Sequence, residues 1–549
     1  MAKKPKARKL SSVERGDGTK GLSWQLLALL VLTLIAYWNS LTAGFHYDDV
    51  YLFQDPYMVG SGFGWGLLRF SQTRPLTYLT FHWNFLIGGK DAWGYHLVNV
   101  VLHGCNVALV LLIGRRHLQP LGALLAAALF AVHPLQTEAV TYIFQRASVL
   151  ACFFALLSLL FYFRGQYAWS VAAYGLSLPA KQETLALPVF FLLYDLAARR
   201  RLSRPRFHIA AFGVAGLAAV HVLWVAQKTA DSGVGFSVKD FSPTSYALTQ
   251  SRVVWKYLRL FFLPMGLNID HDVAPSRALL SPPSTLVALG GLLALIAALA
   301  WMAWRAQQPA VWALGYFVLL APSSSVIPVA DAMFEHRNYF PLIGLVMAVA
   351  WLLMRLPSLL RSLTMAVVVA SLLAGTIARN HVWRDEQSLW TDALEKSPGK
   401  ARPYVVLGMA CVVDNPERAY QLLEHAAALD PSDAKYQNFL GIATMLAGDA
   451  KAALQHFQRA VSLGGETADY LNNIGGAYRA LRDPERAIEN YRRALALDPC
   501  RVSAREGLMH ALSYEGRTKE AFLAGELPAG CHPLPDELQK LASYRETLR

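Results

Sequence analysis

Cysteine is scarce in this chain. There are five among 549 residues, with no CxxC pair and no metal-ligand spacing, which excludes a cysteine-based metal centre as the organising element. Cys105 and Cys152 lie in apolar segments and read as small core residues. Cys500 and Cys531 fall late in the chain, where a disulfide on an oxidising side and two free thiols are both open. Charge is scarce too. Only 16% of residues are charged and 54% are hydrophobic, with a mean hydropathy of +0.30. Soluble proteins carry roughly a quarter charged residues, so an ordinary soluble protein is excluded. No A-x-A cleavage site follows the first apolar run, Leu22–Leu41, and the run is too long for a signal-peptide core, so a retained membrane span is expected. Acids are fewer than bases, 38 against 51, a net charge of +13. A nucleic-acid binder would gather that excess on one soluble face. Here it sits in short loops between apolar runs, the pattern of positive-inside topology, so no nucleic acid is expected.

What is present is a series of apolar runs. After Leu22–Leu41 they lie near Trp93–Ile113, Leu121–Val132, Ala147–Phe163, Ala168–Leu178, Thr184–Ala197, Ile209–Ala226, Ser284–Trp304, Ala310–Val326, Phe340–Met354 and Ser362–Ile377. This predicts an all-α polytopic membrane domain of about 11 transmembrane helices over residues 21–380. Residues 1–20, beginning "MAKKPKARKL", form a basic tail expected on the cytoplasmic side. Alternate loops are basic: Arg115 and Arg116, Arg164, "RRRLSRPR" at 199–206, Arg305, and Arg355 with Arg361. The opposite loops carry "HYDDV", "HPLQTE", "AKQE", the long stretch Lys228–Pro282 and "DAMFEHRNY", a mixture of acids, histidines and isolated cations. That side reads as the functional face. An odd span count places residues 381–549 on it, outside the cytoplasm; for a bacterial chain this is the periplasmic side of the inner membrane.

The tail repeats itself. "LGMAC", "LGIATM" and "IGGAY" recur with Gly408, Gly441 and Gly475 spaced 33 and 34 residues apart. Ala427, Ala460 and Ala494 recur at matching later positions, and Pro431 and Pro499 close two units. This is the tetratricopeptide pattern of helix pairs, an α-solenoid. "LWTDALEKSP" fits the second helix of an earlier unit, and Val502–Phe522 a terminal one with Met509 where glycine is expected. A solenoid offers a groove for an extended polypeptide, or serves as a rigid spacer or dimer surface.

The chemistry-bearing residues gather on the functional face. Asp48 and Asp49 follow the first span within "GFHYDDVYLF". They read either as the cap of a short interfacial helix or as functional acids with cationic partners. Cations at span edges on the same face are Arg74 in "TRPLTYLTFHWNF", Arg146 in "FQRAS", Lys181 in "PAKQET", and His336 with Arg337 in "EHRNYFP". Snorkelling explains any one of them; together around an acid they suit a lipid phosphate at the interface. A sugar on a polyprenyl phosphate needs no nucleotide, so it can react outside the cytoplasm. Its phosphate leaving group needs cations, and the attacking hydroxyl needs a carboxylate base on the opposite face of the sugar. Supporting residues on this reading are His46, His82, His96, His133, Glu138, Glu183 and Glu335. His96, Asn99, His103 and Asn106 form one stripe at i, i+3, i+7 and i+10, which reads as helix packing in preference to a metal site.

The motifs "FHYDDVYLF", "RPLTYLTFHWNFLIGGKDAWGYHLVNVVLH", "LFAVHPLQTEAVTYIFQRASVLACFFALLSLLFY", "EHRNYFPLIGL" and "RNHVWRDEQSLWTDAL", followed by the repeats, resemble the transmembrane-and-tetratricopeptide O-mannosyltransferases of the C-type glycosyltransferase (GT-C) superfamily. The resemblance runs in order over almost the whole chain, with fewer repeats than animal members, in the style of a prokaryotic member. It implies a membrane GT-C catalytic module, an undecaprenyl- or dolichyl-phosphate sugar donor, a protein acceptor, membrane lipid as surroundings, and repeats on the non-cytoplasmic side. It matches the family's acidic pair to Asp48 and Asp49, with Asp48 favoured as the base, and its phosphate-side motifs to Arg74 and to Glu335–Arg337. No metal-ligand set is evident; no cofactor is assigned and a divalent metal is left open. Two further readings stand beside protein O-glycosylation: the same chemistry on a lipid or glycan acceptor, and a non-catalytic membrane-anchored scaffold.

Overall fold

The computed structural model describes residues 21–54, 56–59, 72–202, 204–228, 241–305, 307–529, 531 and 533–548; the basic tail 1–20 lies outside them. Among the described residues the chain is helical, with one isolated bridge between Ala278 and Ser281. Each of the eleven apolar runs forms a helix. In chain order they are α1 (Leu22–Tyr37), α3 (Ala92–His117), α4 (Pro120–Val132), α6 (Arg146–Phe163), α7 (Tyr167–Ser177) and α8 (Leu187–Tyr194), then α9 (Pro205–Lys228), α11 (Ser284–Trp304), α12 (Gln308–Leu320), α13 (Leu342–Leu353) and α14 (Ser358–Val382). Among the described residues the α-helices of this domain outside those runs are the four-residue Pro56–Val59, α2 (Pro75–Gly88), the short α5 (Thr137–Thr141) and α10 (Pro243–Phe262). Among the described residues six helices are long and apolar enough to cross a membrane alone, and a seventh span results if the bent pair α4–α5 counts as one. α12 and α13 are shorter apolar helices.

The interior is one apolar cluster built around α3, α4, α6, α12 and α13, including Val110, Phe130, Leu156, Trp312, Tyr316 and Val346. Helices in lipid gain no hydrophobic drive towards one another, so close approach decides their packing. Gly344 shows this. A methyl group added there would meet the Trp312 carbonyl oxygen at 2.5 Å and the Tyr316 nitrogen at 2.8 Å, so α13 lies directly on the backbone of α12. α9, α11 and α14 turn most of their surface outward.

The break between α4 and α5 is the feature that shapes the functional end. The pair bends by 52° at His133–Pro134. Proline removes a donor and clashes with the preceding turn, leaving carbonyls that lipid cannot satisfy. Side chains satisfy them. His103 Nε2 donates to the Ala131 carbonyl (3.1 Å) and Thr376 Oγ1 to that of Val132 (2.7 Å); at the far end of α5, Asn99 Nδ2 donates to the Val140 carbonyl (3.2 Å). His133 accepts from the Leu135 amide through Nδ1 and donates through Nε2 to Phe261. The polar stripe on α3 is thus a packing device, and all four of its side chains are buried.

α14 continues past residue 380 to Val382, three residues short of the next helix, α15 (Glu386–Lys396). Four helix pairs follow. They are α16 (Ala401–Cys411) with α17 (Pro416–Leu429), α18 (Ala434–Leu446) with α19 (Ala450–Gly464), α20 (Ala468–Ala480) with α21 (Pro484–Leu497), and α22 (Val502–Tyr514) with α23 (Thr518–Ala524). α24 (Pro535–Thr547) caps the array, and a disulfide joins Cys500 to Cys531. The repeat is written in its caps. Asn415, Asp449 and Asp483 each accept the amide three residues on, satisfying an orphan donor at the start of α17, α19 and α21. A methyl on Gly441 would lie 2.4 Å from the Phe457 ring, and one on Gly475 2.8 Å from that of Tyr491. The recurring glycine is therefore the contact point of each of the first three pairs.

Candidate active site

Asp48 and Asp49 lie on a 3-10 helix, Tyr47–Phe53, entered through His46. Their environments differ completely. Asp49 is fully buried, and its Oδ2 accepts the His46 amide (2.9 Å) while Oδ1 accepts that of Phe144 (2.7 Å). Both oxygens are committed to backbone, the capping role weighed above for the acidic pair. Asp48 is half-buried and lines a cavity of about 490 Å³. Its amide donates to the Tyr142 hydroxyl (3.1 Å), and that hydroxyl hydrogen-bonds the Asp48 carboxylate. Burial raises the Asp48 pKa above its ordinary value; Tyr142, Arg402 and Arg74 oppose the shift, and Asp331 adds to it. Burial pushes Asp49 up further.

The rest of the cavity wall is Tyr47, Glu138, Tyr142, Gln145, Ile269, Asp331, Phe334, Trp390 and Arg402. Glu138, set at the start of α5 by the broken helix, grips the "EHR" turn. Its Oε2 accepts the amides of Glu335 (2.8 Å) and His336 (3.1 Å), and its Oε1 accepts His336 Nδ1 (2.7 Å). Glu335 Oε1 accepts from the Asn268 amide and from His271 Nε2 (2.9 Å). Burial holds His336 well below its ordinary pKa, reinforced by the charges of Lys181, Arg337 and Arg74.

The expected cations divide into two groups. Lys181, Arg337 and Arg74 lie within electrostatic reach of His336, and Arg74 also of Asp48. Lys181 Nζ reaches Ser148 Oγ (2.6 Å), Gln145 Oε1 (3.1 Å) and Glu183 Oε2 (3.1 Å), and burial lowers its pKa to about 8. Arg337 is buried, and donates to the Asp331 (2.7 Å) and Ala332 (3.0 Å) carbonyls and to the Tyr246 hydroxyl (3.2 Å). It shapes the loop that carries Asp331. Arg146 is placed apart. It is fully buried, bonded to Asn99 Oδ1 (2.8 Å), the Thr80 carbonyl (3.2 Å) and the Tyr95 carbonyl (3.0 Å), and packed 4.3 Å from the centre of the Phe81 ring. Its neighbour among the acids is Asp49. The buried histidines are likewise engaged. His46 Nε2 donates to the Trp383 carbonyl (2.7 Å), His82 Nδ1 to that of Met58 (3.1 Å), and His96 Nε2 to that of Ala43 (3.0 Å). Among the described residues no three His, Cys, Asp or Glu side chains converge to hold a metal ion.

Sequence reading missed Tyr142, Asp331, Trp390 and Arg402 as wall residues. Asp331 stood in view in "DAMFEHRNY", beside the motif singled out. Arg402 and Trp390 had no local signal, because only the packing of the tail on the membrane domain brings them here. A second cavity, about 400 Å³, opens in the repeats. It is lined largely by the first helices of three successive pairs, with Ile442, Asn472, Asn473, Arg479, Glu506 and His510 among its residues.

Comparison with known proteins agrees with this architecture. Residues 73–224, from just ahead of α2 into α9, match the family model described as dolichyl-phosphate-mannose-protein mannosyltransferase, and residues 432–499 match that of the tetratricopeptide repeat. The chain is similar to "Protein O-mannosyl-transferase TMTC3" of Mus musculus, 25% identical over 493 residues, covering 74% of this chain and 51% of that protein. It is 41% identical to "Protein O-mannosyl-transferase Tmtc2" of Drosophila melanogaster over 150 residues, 24% of this chain and 16% of that one. The chain thus spans about half the length of the mouse protein and less of the fly protein. Among solved structures, a thermophilic tetratricopeptide protein of Thermus thermophilus matches over 33% of this chain and 95% of its own length at 17% identity, with a TM-score of 0.27. The chain thus carries a segment that matches the dolichyl-phosphate-mannose-protein mannosyltransferase family model, followed by one that matches the tetratricopeptide repeat.

Proposed function

We propose that the chain transfers a sugar, mannose by analogy with its relatives, from a polyprenyl-phosphate donor to Ser or Thr hydroxyls of a polypeptide, with inversion at the sugar carbon. Asp48 is the general base. It takes the proton of the hydroxyl as that oxygen attacks the anomeric carbon, while the bond to the phosphate breaks on the opposite face. Arg74 and Lys181 stabilise the departing lipid phosphate, and His336 and Arg337 hold the loop around it. Arg146 acts from behind, ordering the helices that flank Asp49. The single observation that carries this reading is the asymmetry of the acidic pair: Asp49 has both oxygens bound to backbone amides, while Asp48 opens on the cavity.

The site and the repeats stand on the non-cytoplasmic face of the cytoplasmic membrane. Loop charge supports that orientation, and the Cys500–Cys531 disulfide supports an oxidising compartment. The amide-lined groove of the repeats suits an extended polypeptide, which favours a protein acceptor over a lipid one. The test is a transfer assay with purified protein, a polyprenyl-phosphate mannose and a Ser/Thr peptide, read by peptide mass. Asp48→Asn keeps the size of the side chain and removes its basicity, so transfer should fall by about 10²–10⁴-fold. Near-normal transfer by that variant sinks the assignment.

A further inference from the structure

Two residues of the Asp48 cavity belong to the repeat domain. Trp390 sits on α15 and Arg402 in the first turn of α16. Neither falls within the segment that matches the mannosyltransferase family. Arg402 Nη2 lies 2.9 and 3.0 Å from the two carboxylate oxygens of Asp331, and Nη1 lies 3.6 Å from Asp270. Lys400 reaches Asp270 at 3.2 Å. A pair serving only to join two domains could sit anywhere along the seam, yet both Arg402 and Asp331 line the cavity.

The same helices hold the turn that carries Asp48. Tyr47 has φ of 40°, in the left-handed region that a bulky L-residue avoids. Such a conformation persists only where the surroundings impose it. Here they come from α15: Glu386 Oε1 accepts the Tyr47 amide (3.3 Å), and the Trp390 ring packs edge-on to that of Tyr47 at 5.4 Å. Gly44 donates to the Arg384 carbonyl (3.1 Å), a further tie from the same junction.

We infer that the active site is a composite of both domains, in which Arg402 positions the Asp331 carboxylate on the cavity wall and α15 positions the strained turn that presents Asp48. This rests on the reading of the cavity as the transfer site. The repeats then take part in chemistry on every acceptor, including one too short to reach their groove.

The test uses the full-length protein and a Ser/Thr peptide of a few residues. Arg402→Met removes the charge and keeps much of the side-chain length. It should lower kcat by about tenfold or more, the scale of one charge-assisted bond, with KM within about twofold. Asp48 is faced by the Tyr142 hydroxyl, Arg402, Asp331, Arg74 and, from its own turn, Asp49. Arg402 stabilises its ionised form, so its loss should also move the acid limb of the kcat profile to higher pH. Arg402→Lys should recover part of kcat and of the limb. The inference is overturned if Arg402→Met leaves kcat and the acid limb unchanged, or if the Lys variant is as impaired as the Met variant. Asp48→Asn in the same assay separates the two levels. Retained transfer there defeats the reading of the cavity as the transfer site, and no transfer by the unaltered protein defeats the transferase reading itself, whereas an inactive Asp48→Asn beside an unaltered Arg402→Met defeats the composite site alone.

Discussion

Adjacent aspartates with the same intrinsic chemistry are driven apart by what the backbone offers them. Asp49 receives two amides and is withdrawn from solvent; Asp48 receives a tyrosine hydroxyl and an opening. The consequence can be measured through pH. Burial raises the Asp48 pKa, and a base works only when ionised, so transfer should be lost as pH falls through that raised value. The acid limb of kcat/KM should therefore lie above the ordinary aspartate value of about 3.9. A limb at or below that value would contradict the raised pKa. The pair "DD" was legible in the sequence as chemistry at a membrane edge, and so were Arg74, Lys181, Glu138 and "EHR", because isolated polar residues stand out against apolar runs. Arg146 drew the same notice for the same reason. Its engagement with Thr80, Tyr95 and Asn99 was invisible, since the contacts that consume it come from two other helices.

At the scale of elements, apolar length and repeat period carried nearly everything. All eleven runs became helices, and the glycine period became helix pairs. The length of several did not follow, because α12 and α13 are buried among other helices and need not span on their own. Nor did α10 announce itself: its apolar residues occupy one face of a helix that is polar on the other, too mixed to read as a span. The repeat glycine permits a direct test. Gly441→Ala would set a methyl 2.4 Å from the Phe457 ring, and overpacking of this kind costs about 1–3 kcal/mol. Thermal unfolding of the repeat domain should fall accordingly, and adding Phe457→Leu should recover part of the loss, since residues in contact couple. The same loss with and without Phe457→Leu would show that the ring is not what the glycine accommodates.

The whole molecule has a direction. Loop charges support the proposed orientation, with the basic N-terminus inside and everything after α14 outside. A reporter active only outside the cytoplasm, fused after Arg549, should give signal; a stably made but silent fusion would invert the orientation and take the outward-facing cavity with it. What the sequence could not convey at this scale was the seam. "LWTDALEKSP" reads as the second helix of an earlier repeat unit, yet residues 383–402 pack Trp383, Trp390 and Arg402 against the loops of the membrane domain, and contact between segments far apart in the chain leaves no local period.

The junction at Trp383 has a mechanical consequence. α14 and α15 are separated by three residues, and Arg379 is paired with Asp392 across them at 2.7 Å. The near end of the solenoid is clamped, while each later pair touches chiefly its neighbours, as solenoid repeats do. The array is a cantilever. Small angular play at each pair would add along its length, so the disulfide-closed tip has more freedom than the root beside Asp48. On the proposed reading, a polypeptide acceptor held towards the tip would be brought over the cavity by bending of the beam.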